Sequence, residues 1–463
     1  MLAAAALAAA NAAWAAPQAA VAQLPAATAA KVDAIAAKAL ADTRAPSVSV
    51  AIVQDGKIVY EKAYGHARLE PAADAAPSTR YSIGSVSKQF LAATILLLAQ
   101  DGKLSLDDHV SRFLPGLTRA DEVTIRQLLS HTSGYQDYYP QDYVPPFMKE
   151  PATAQKILDE WGKKPLDFDP GTRWQYSNTN YVIAGRIVEK VTGEPLFDVL
   201  SKRILQPLGM NTAIDLDDRP LAAPDATGYT RFIFGPARVA PLEARGWLYA
   251  AGELAMTAHD LALWDISLLK HTLLKPESLE TMFTPARLRD GSQLDYALGV
   301  EVTNSGGHPK VSHSGAVAGF VSLNTVWPDQ GVAIVALANM DGSGSPWAIS
   351  NQVAPLLLAA EADDSQADQS LQQVKGIFYG LAEGKIDRSL LAPDAEVFFT
   401  PQVLADGAAS LKELGSPEFI RQTSSELRGG MMYRHFLVKF KTASFGLSTL
   451  TLPDGKLEQF LIQ

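Results

Sequence analysis

Ser85-Val86-Ser87-Lys88 opens an apolar run that extends to Ala99. Residues three apart share a face of a helix, so this spacing brings a hydroxyl and an amine together at a first turn. A lysine so placed takes the serine proton only if its surroundings depress its pKa, because an ammonium has no lone pair to offer. The helix N-terminus adds main-chain N–H groups and partial positive charge, which favour an oxyanion over a neutral carbonyl. The same spacing recurs at Ser267-Leu268-Leu269-Lys270, inside an ordinary amphipathic pattern, where we expect no chemistry. Spacing alone therefore does not select Ser85. Its company does: Tyr176-Ser177-Asn178 is the only Y-x-N among 14 tyrosines, and His313-Ser314-Gly315 stands just before the late strand patterns.

The elements that must position these residues follow from periodicity. Residues 29–41 carry apolar positions at helical spacing, with Thr28 as a possible N-cap. Residues 47–54 and 57–64 alternate as strands around Asp55-Gly56, which predicts a hairpin. A helix is expected over 85–99, and the chain to about residue 210 reads as mostly helical, broken by loops rich in Pro, Tyr and Asp. Strand patterns return at 311–312, 320–327 and 332–338, before an apolar helix over 346–360. Early and late strands should share one sheet, with the helical middle as a separate lobe. The acidic stretch 361–369 reads as a linker. Beyond it we expect a helix over 369–383 and strands over 433–441, 446–452 and 456–462.

Composition removes several classes of function. The 463 residues are 47% hydrophobic and 19% charged, the profile of a folded globular chain of about two to three domains. A net charge of −10 without a Lys/Arg run argues against nucleic acid and against a basic membrane-binding patch. Zero cysteines exclude disulfides, thiolate nucleophiles and Cys-based metal sites. No H-E-x-x-H, EF-hand, Walker or G-x-S-x-G pattern occurs. Residues 1–16 are small and apolar, and Ala13-Trp14-Ala15 fits an A-x-A cleavage site, so a secretory signal peptide is expected. The first basic residue is Lys31, which departs from the usual charged start of an export signal and leaves an Ala-rich tail as the alternative. No later stretch reaches the roughly 18–20 apolar residues that a membrane span needs.

Longer segments carry a family resemblance. Tyr81-Ser82-Ile83-Gly84-Ser85-Val86-Ser87-Lys88, Leu128-Leu129-Ser130-His131-Thr132-Ser133-Gly134 and the stretch from Gly171 through Tyr176 to Tyr181 are similar to those of serine β-lactamases and penicillin-recognising enzymes. Pro207-Leu208-Gly209-Met210, the stretch 250–260, and His313-Ser314-Gly315 with Gly319-Phe320 extend the likeness over residues 30–360. The resemblance is to the branch holding class C β-lactamases, DD-peptidases, D-aminopeptidases and family VIII esterases.

What the resemblance implies is an α/β (α+β), β-lactamase/transpeptidase-like fold. A signal peptide and linker would occupy 1–27, the hydrolase domain 28–362, and a small α+β accessory domain 363–463. Ser85 would be the nucleophile that forms an acyl-enzyme, with Lys88 accepting its proton. Tyr176 would pass a proton to the leaving group, provided neighbouring cations favour its anion. Asn178 would bind a substrate amide or carbonyl, and the N–H groups of Ser85 and Ala316, next to Gly315, would form the oxyanion hole. Many members place Lys where His313 stands. A histidine, only partly protonated near neutrality, is a weaker partner for a substrate carboxylate, which ranks an esterase or D-peptidase above a dedicated β-lactamase.

The expected function is hydrolysis of an ester or amide without metal or organic cofactor, in an exported, periplasmic or secreted bacterial protein. The partner is a small-molecule or peptide substrate, with any partner of the C-terminal domain left open. A binding or sensor protein that is acylated without turnover is the rival. His131 is expected to stabilise its loop, Arg173 and Trp174 to shape the turn before Tyr176, and His308, beside Gly306-Gly307, to be a turn residue. Tyr135, Tyr138, Tyr139 and Tyr143 could form either a packed loop or an aromatic rim.

Overall fold

A computed structural model describes residues 23–141, 143–233, 235–305, 308–358, 365–428, 431–441 and 443–462. The leader over 1–16, its cleavage site, Gly306-Gly307 and residues 361–364 of the expected linker lie outside the described residues.

The first helix, α1 (Ala26–Thr43), begins three residues ahead of the expected start, after Pro25, so Thr28 lies within it and caps nothing. Its buried residues Val32, Ala36 and Ala39 recur at the spacing that puts them on one stripe. Strand β1 (Ser47–Gln54) turns through Asp55 and Gly56, both in the left-handed region, into β2 (Lys57–Arg68). β2 runs past residue 64 because its far end pairs with β3 (Ala73–Asp74).

Three long helices of the middle region matter to the site: α2 (Ser87–Gln100), α3 (Asn178–Thr192) and α4 (Ala258–Lys270). The late strands are β4 (Glu301–Ser305), β5 (His308–Val317), β6 (Phe320–Trp327) and β7 (Val332–Ala338), followed by α5 (Ser345–Leu357). His308 thus begins a strand, which corrects its expected place as a turn residue.

Early and late strands join in one antiparallel sheet of order β3-β2-β1-β7-β6-β5-β4. One face packs Val48, Val50, Ile52 and Ile334 against Val32 and Ala36 of α1 and Ile349 and Val353 of α5. The opposite face packs Ala51, Val53, Val335 and Leu337 into the core that holds Phe90 of α2 and Trp264 of α4. Coverage on both faces explains why every residue of β6 and β7 is buried rather than every second one. Each such large apolar side chain contributes about 1.5–3 kcal/mol by leaving water.

Beyond α5, α6 (Ser365–Ala382) takes up Ser365 to Gln369, the second half of the expected linker. α7 (Pro393–Phe398), α8 (Pro401–Leu414) and strand β8 (Phe419–Arg428) follow, none of them anticipated from sequence. Together with β9 (Met431–Lys439), β10 (Ser444–Thr451) and β11 (Leu457–Ile462), β8 forms a four-stranded antiparallel sheet. Val374, Ile377 and Phe378 of α6 pack on Phe436, Val438 and Leu447 of that sheet. Its edge strand β8 lies beside β4, the edge of the large sheet. Among the described residues no helix is long and apolar enough to cross a membrane.

Candidate active site

Ser85 sits in a 3₁₀ turn, Gly84–Val86, that leads into α2, rather than in the α-helix itself. The tighter winding brings residues three apart nearly into eclipse, and Lys88 Nζ stands 2.9 Å from Ser85 Oγ. The same Nζ donates to Asn178 Oδ1 at 2.8 Å and to the carbonyl of Ala251 at 2.7 Å. Three acceptors satisfy the three donors of an ammonium that is fully buried. Burial nevertheless pulls Lys88 down to about 7, against the opposing pull of the Asp137 carboxylate. At neutral pH a substantial fraction is therefore the free amine, which can accept the Ser85 proton.

Two glycines let the strand reach the turn. A side-chain carbon on Gly315 would fall 2.0 Å from the carbonyl oxygen of Ile83, and one on Gly84, which has φ +49, would fall 3.1 Å from the main-chain nitrogen of Ala316. Strand β4 pairs only with residues 308–312 of β5, so the rest of that edge is left to face the 3₁₀ turn. The hydroxyl of Ser322 donates to the Ile83 carbonyl at 2.7 Å and ties the turn to the sheet.

Tyr176 and Asn178 arrive together at the start of α3. The Tyr176 phenol bonds to the Ser85 hydroxyl, and its ring centroid lies 5.0 Å from Lys88 Nζ. Burial, with the charges of Asp137 and Glu301, pushes this phenol well above the ordinary tyrosine range, and the bond to Ser85 offsets only part of that. This corrects the expectation of an accessible Tyr176 anion: the depressed group is Lys88, and Tyr176 keeps its proton.

His313 also differs from expectation. Its Nδ1–H donates to the carbonyl of Ser314 at 2.6 Å, and its Nε2 accepts from the Tyr296 hydroxyl at 2.8 Å. Burial and the nearby Lys88 cation push the imidazole down to about 3, so it is neutral and both nitrogens are engaged. It supplies no charge for a substrate carboxylate.

His131, fully buried at φ 58, accepts the N–H of Ser177 at 3.2 Å on Nδ1 and stacks 4.2 Å from the Tyr176 ring. Its carbonyl accepts from Gln175, so it braces the segment that carries Tyr176. Burial keeps it neutral.

The expected second S-x-x-K is assembled differently. Ser267 is buried, not on the surface, and its hydroxyl donates to Trp264 of its own helix, while Lys270 ends that helix exposed. The tyrosine cluster divides: Tyr135 is a core residue, Tyr138 is buried but also reaches the cleft wall, and Tyr139 and Tyr143 line the cleft.

That cleft is a cavity of about 1130 Å³ with Ser85, Tyr176, Asn178, His313 and Ala316 in its wall. Asp137, Glu301 and Asp341 also line it, with Arg231, and its mouth carries Trp174, Phe232, Ile233 and Trp347. Asp137, Tyr296, Glu301 and the Ala251 carbonyl were not identified from sequence. An acid inside the aromatic-rich run 135–143 was a usable signal for Asp137, and Ala251 lies in the stretch 250–260 of the family likeness; Tyr296 and Glu301 carried none. Among the described residues one acidic group, Asp215, Asp217 and Glu253, has carboxylate oxygens within 4.8 Å of one another. Burial and mutual repulsion push Glu253 well up and Asp215 to about 6.

The beta-lactamase family model matches residues 32–358. The chain is 30% identical over 309 residues to penicillin-binding protein 4* of Bacillus subtilis, covering 63% of this chain and 68% of that protein. It is 30% identical over 310 residues to the D-aminopeptidase of Brucella anthropi, covering 65% of this chain and 58% of that longer protein. A D-stereospecific amidohydrolase from Streptomyces sp. superposes with a TM-score of 0.60 at 27% identity, over 71% of this chain and 99% of its own. The chain belongs to the beta-lactamase family, a superfamily of serine hydrolases with the fold described above.

Proposed function

We propose that this protein hydrolyses esters or amides through an acyl-enzyme on Ser85, and that its preferred substrates carry a free amine, as D-amino-acid amides, esters or short peptides do. The observation that carries the reading is the contact between Lys88 Nζ and Ser85 Oγ at 2.9 Å, with Lys88 drawn down to about 7. Ser85 Oγ attacks the carbonyl carbon as its proton passes to the free amine of Lys88. The oxyanion that forms accepts from the N–H groups of Ser85 and Ala316. Tyr176 gives its phenol proton to the departing nitrogen or oxygen and regains one from the Lys88 ammonium, whose Nζ lies 5.0 Å from its ring centroid. Water then attacks the ester carbonyl along the reverse proton path, releasing the acid and restoring Ser85.

The charge of the cleft supports the substrate class. Among the described residues, three carboxylates, Asp137, Glu301 and Asp341, line it against one cation, Arg231, while His313 is neutral and Lys88 is occupied by three acceptors. Such a wall favours an ammonium over the carboxylate that a β-lactam or a C-terminal peptide presents. The apolar mouth suits an aromatic or aliphatic side chain. The names of the D-aminopeptidase and the D-stereospecific amidohydrolase point the same way.

Intact mass and product release test this, with wild type beside Ser85→Ala, against a D-amino-acid amide, a short-chain activated ester and a penicillin. Ser85-dependent turnover of the amide and ester, with little penicillin adduct, is expected. A long-lived penicillin adduct without turnover of either substrate would replace this reading with that of a sensor.

A further inference from the structure

Asp137 lines the same cleft as Ser85 and is bonded to Asn178. Its Oδ1 accepts from the main-chain N–H of Asn178 at 2.9 Å and of Tyr139 at 3.1 Å, and from Asn178 Nδ2 at 3.2 Å. Its Oδ2 takes the same amide at 3.3 Å. On the other side of that amide, Asn178 Oδ1 accepts from Lys88 Nζ, which reaches Ser85 Oγ. Carboxylate, amide, amine and hydroxyl thus form one chain.

A primary amide has a donor end and an acceptor end, whereas a carboxylate only accepts. The carboxylate, together with the Tyr139 carbonyl that accepts from the same Nδ2 at 3.3 Å, therefore decides which end of Asn178 faces Lys88. Turned over, the amide would aim N–H at the ammonium and leave one of its three donors without an acceptor. We propose that Asp137 is a positioning residue for acylation: it locks the Asn178 amide with its oxygen toward Lys88 and places a negative charge behind that amine. This rests on the reading of Ser85 and Lys88 given above.

The groups around Lys88 make the charge visible in a pH profile. The rings of Tyr176 and Tyr181 lie 5.0 and 5.3 Å from Nζ, and burial pushes both phenols up. His131 and His313 also face this amine and are pushed down, so none of these four changes charge near neutrality. Glu301, on the far wall of the cleft, bears on Tyr176. Asp137 is the carboxylate that acts on Lys88 and favours its ammonium. Remove that charge and Lys88 releases its proton at lower pH, so the acidic limb of the rate moves down.

The test is the full chain carrying Asp137→Asn, assayed for kcat/KM on an uncharged short-chain ester from about pH 5 to about pH 9, beside wild type and Ser85→Ala. An uncharged ester separates this role from any contact between Asp137 and a substrate ammonium. We expect the plateau to fall on the order of tenfold and the acidic limb to move down by about one unit. Asp137→Glu, which keeps the charge but moves it by one methylene, should leave the limb in place and still lower the plateau; it serves alone if the Asn variant does not fold. An unmoved limb in Asp137→Asn, or a wild-type plateau in Asp137→Glu, overturns the proposal while Ser85 keeps its role. Activity that survives Ser85→Ala overturns the underlying reading instead.

Discussion

Two segments of this chain share the same spacing and have opposite fates. Ser85 and Lys88 stand where a 3₁₀ turn enters a helix, and the lysine points into a pocket made by Tyr176, Tyr181, Asn178 and the Ala251 carbonyl. Ser267 and Lys270 stand in the last turn of α4, where the serine hydroxyl bonds to the Trp264 carbonyl at 2.7 Å and the lysine lies in water. There Lys270 stands at the negative end of the helix dipole. The difference teaches that the motif is only a spacing; a base is made by burying the amine beside acceptors and few carboxylates.

Serine replacement gives the sharpest break. Ser85→Ala should reduce ester or amide turnover by at least about 10³-fold and abolish the acyl adduct in intact mass, while Ser267→Ala leaves both within about twofold. Comparable loss from the two changes would end the comparison. Next, Lys88→Ala and Tyr176→Phe should each reduce kcat/KM on the order of 10²-fold or more, with Lys270→Ala as the silent counterpart.

The approach of the strand to the turn can be broken by a methyl group. Gly315→Ala places a carbon 2.0 Å from the Ile83 carbonyl, so β5 and the 3₁₀ turn must separate. Rates should fall about tenfold to 10²-fold with little change in substrate KM, because the expected donors Ser85 N–H and Ala316 N–H would move apart.

The pH profile sharpens the same contrast. Lys88 must lose its proton to act, and it is held at about 7, so kcat/KM should rise with pH through a limb near neutrality. A limb near the ordinary lysine range would contradict a Lys88 amine lowered by burial.

The smallest effect concerns the helix of the inert pair. Asp265, two residues before Ser267, is fully buried; Asn324 Nδ2 donates to its Oδ1, while its Oδ2 has no partner among the described residues. Burial pushes its carboxyl well above the usual range. The folded state therefore prefers the protonated acid, and stability is lost as pH rises from the unfolded value toward the folded one. Asp265→Asn should raise thermal stability by about 1 kcal/mol at neutral pH and by less in acid. Equal gains at both pH values would contradict a proton held by Asp265.

Legibility from sequence varied with physical cause. β1, β6 and β7 were readable to the residue because both faces are buried and their apolar runs have sharp ends. β8 was missed because Phe419–Arg428 is an edge strand rich in Arg, Gln, Ser and Glu, with little apolar alternation to read. The acidic stretch taken as linker continues into α6, where Leu371, Val374, Ile377 and Phe378 recur at helical spacing and dominate the polar start.

At the site, residue type and spacing singled out Ser85, Lys88, Tyr176, Asn178 and His313, because a nucleophile, an amine, a phenol, an amide and an imidazole are chemically distinctive wherever they stand. Their charge states were decided only by the tertiary structure. Whether Lys88 is a base, Tyr176 an acid and His313 a cation depends on desolvation and on Asp137, Tyr296 and Ala251, which lie far from them along the chain. Sequence records which groups are available; folding sets how much water and which charges each group keeps, and that balance fixes its proton.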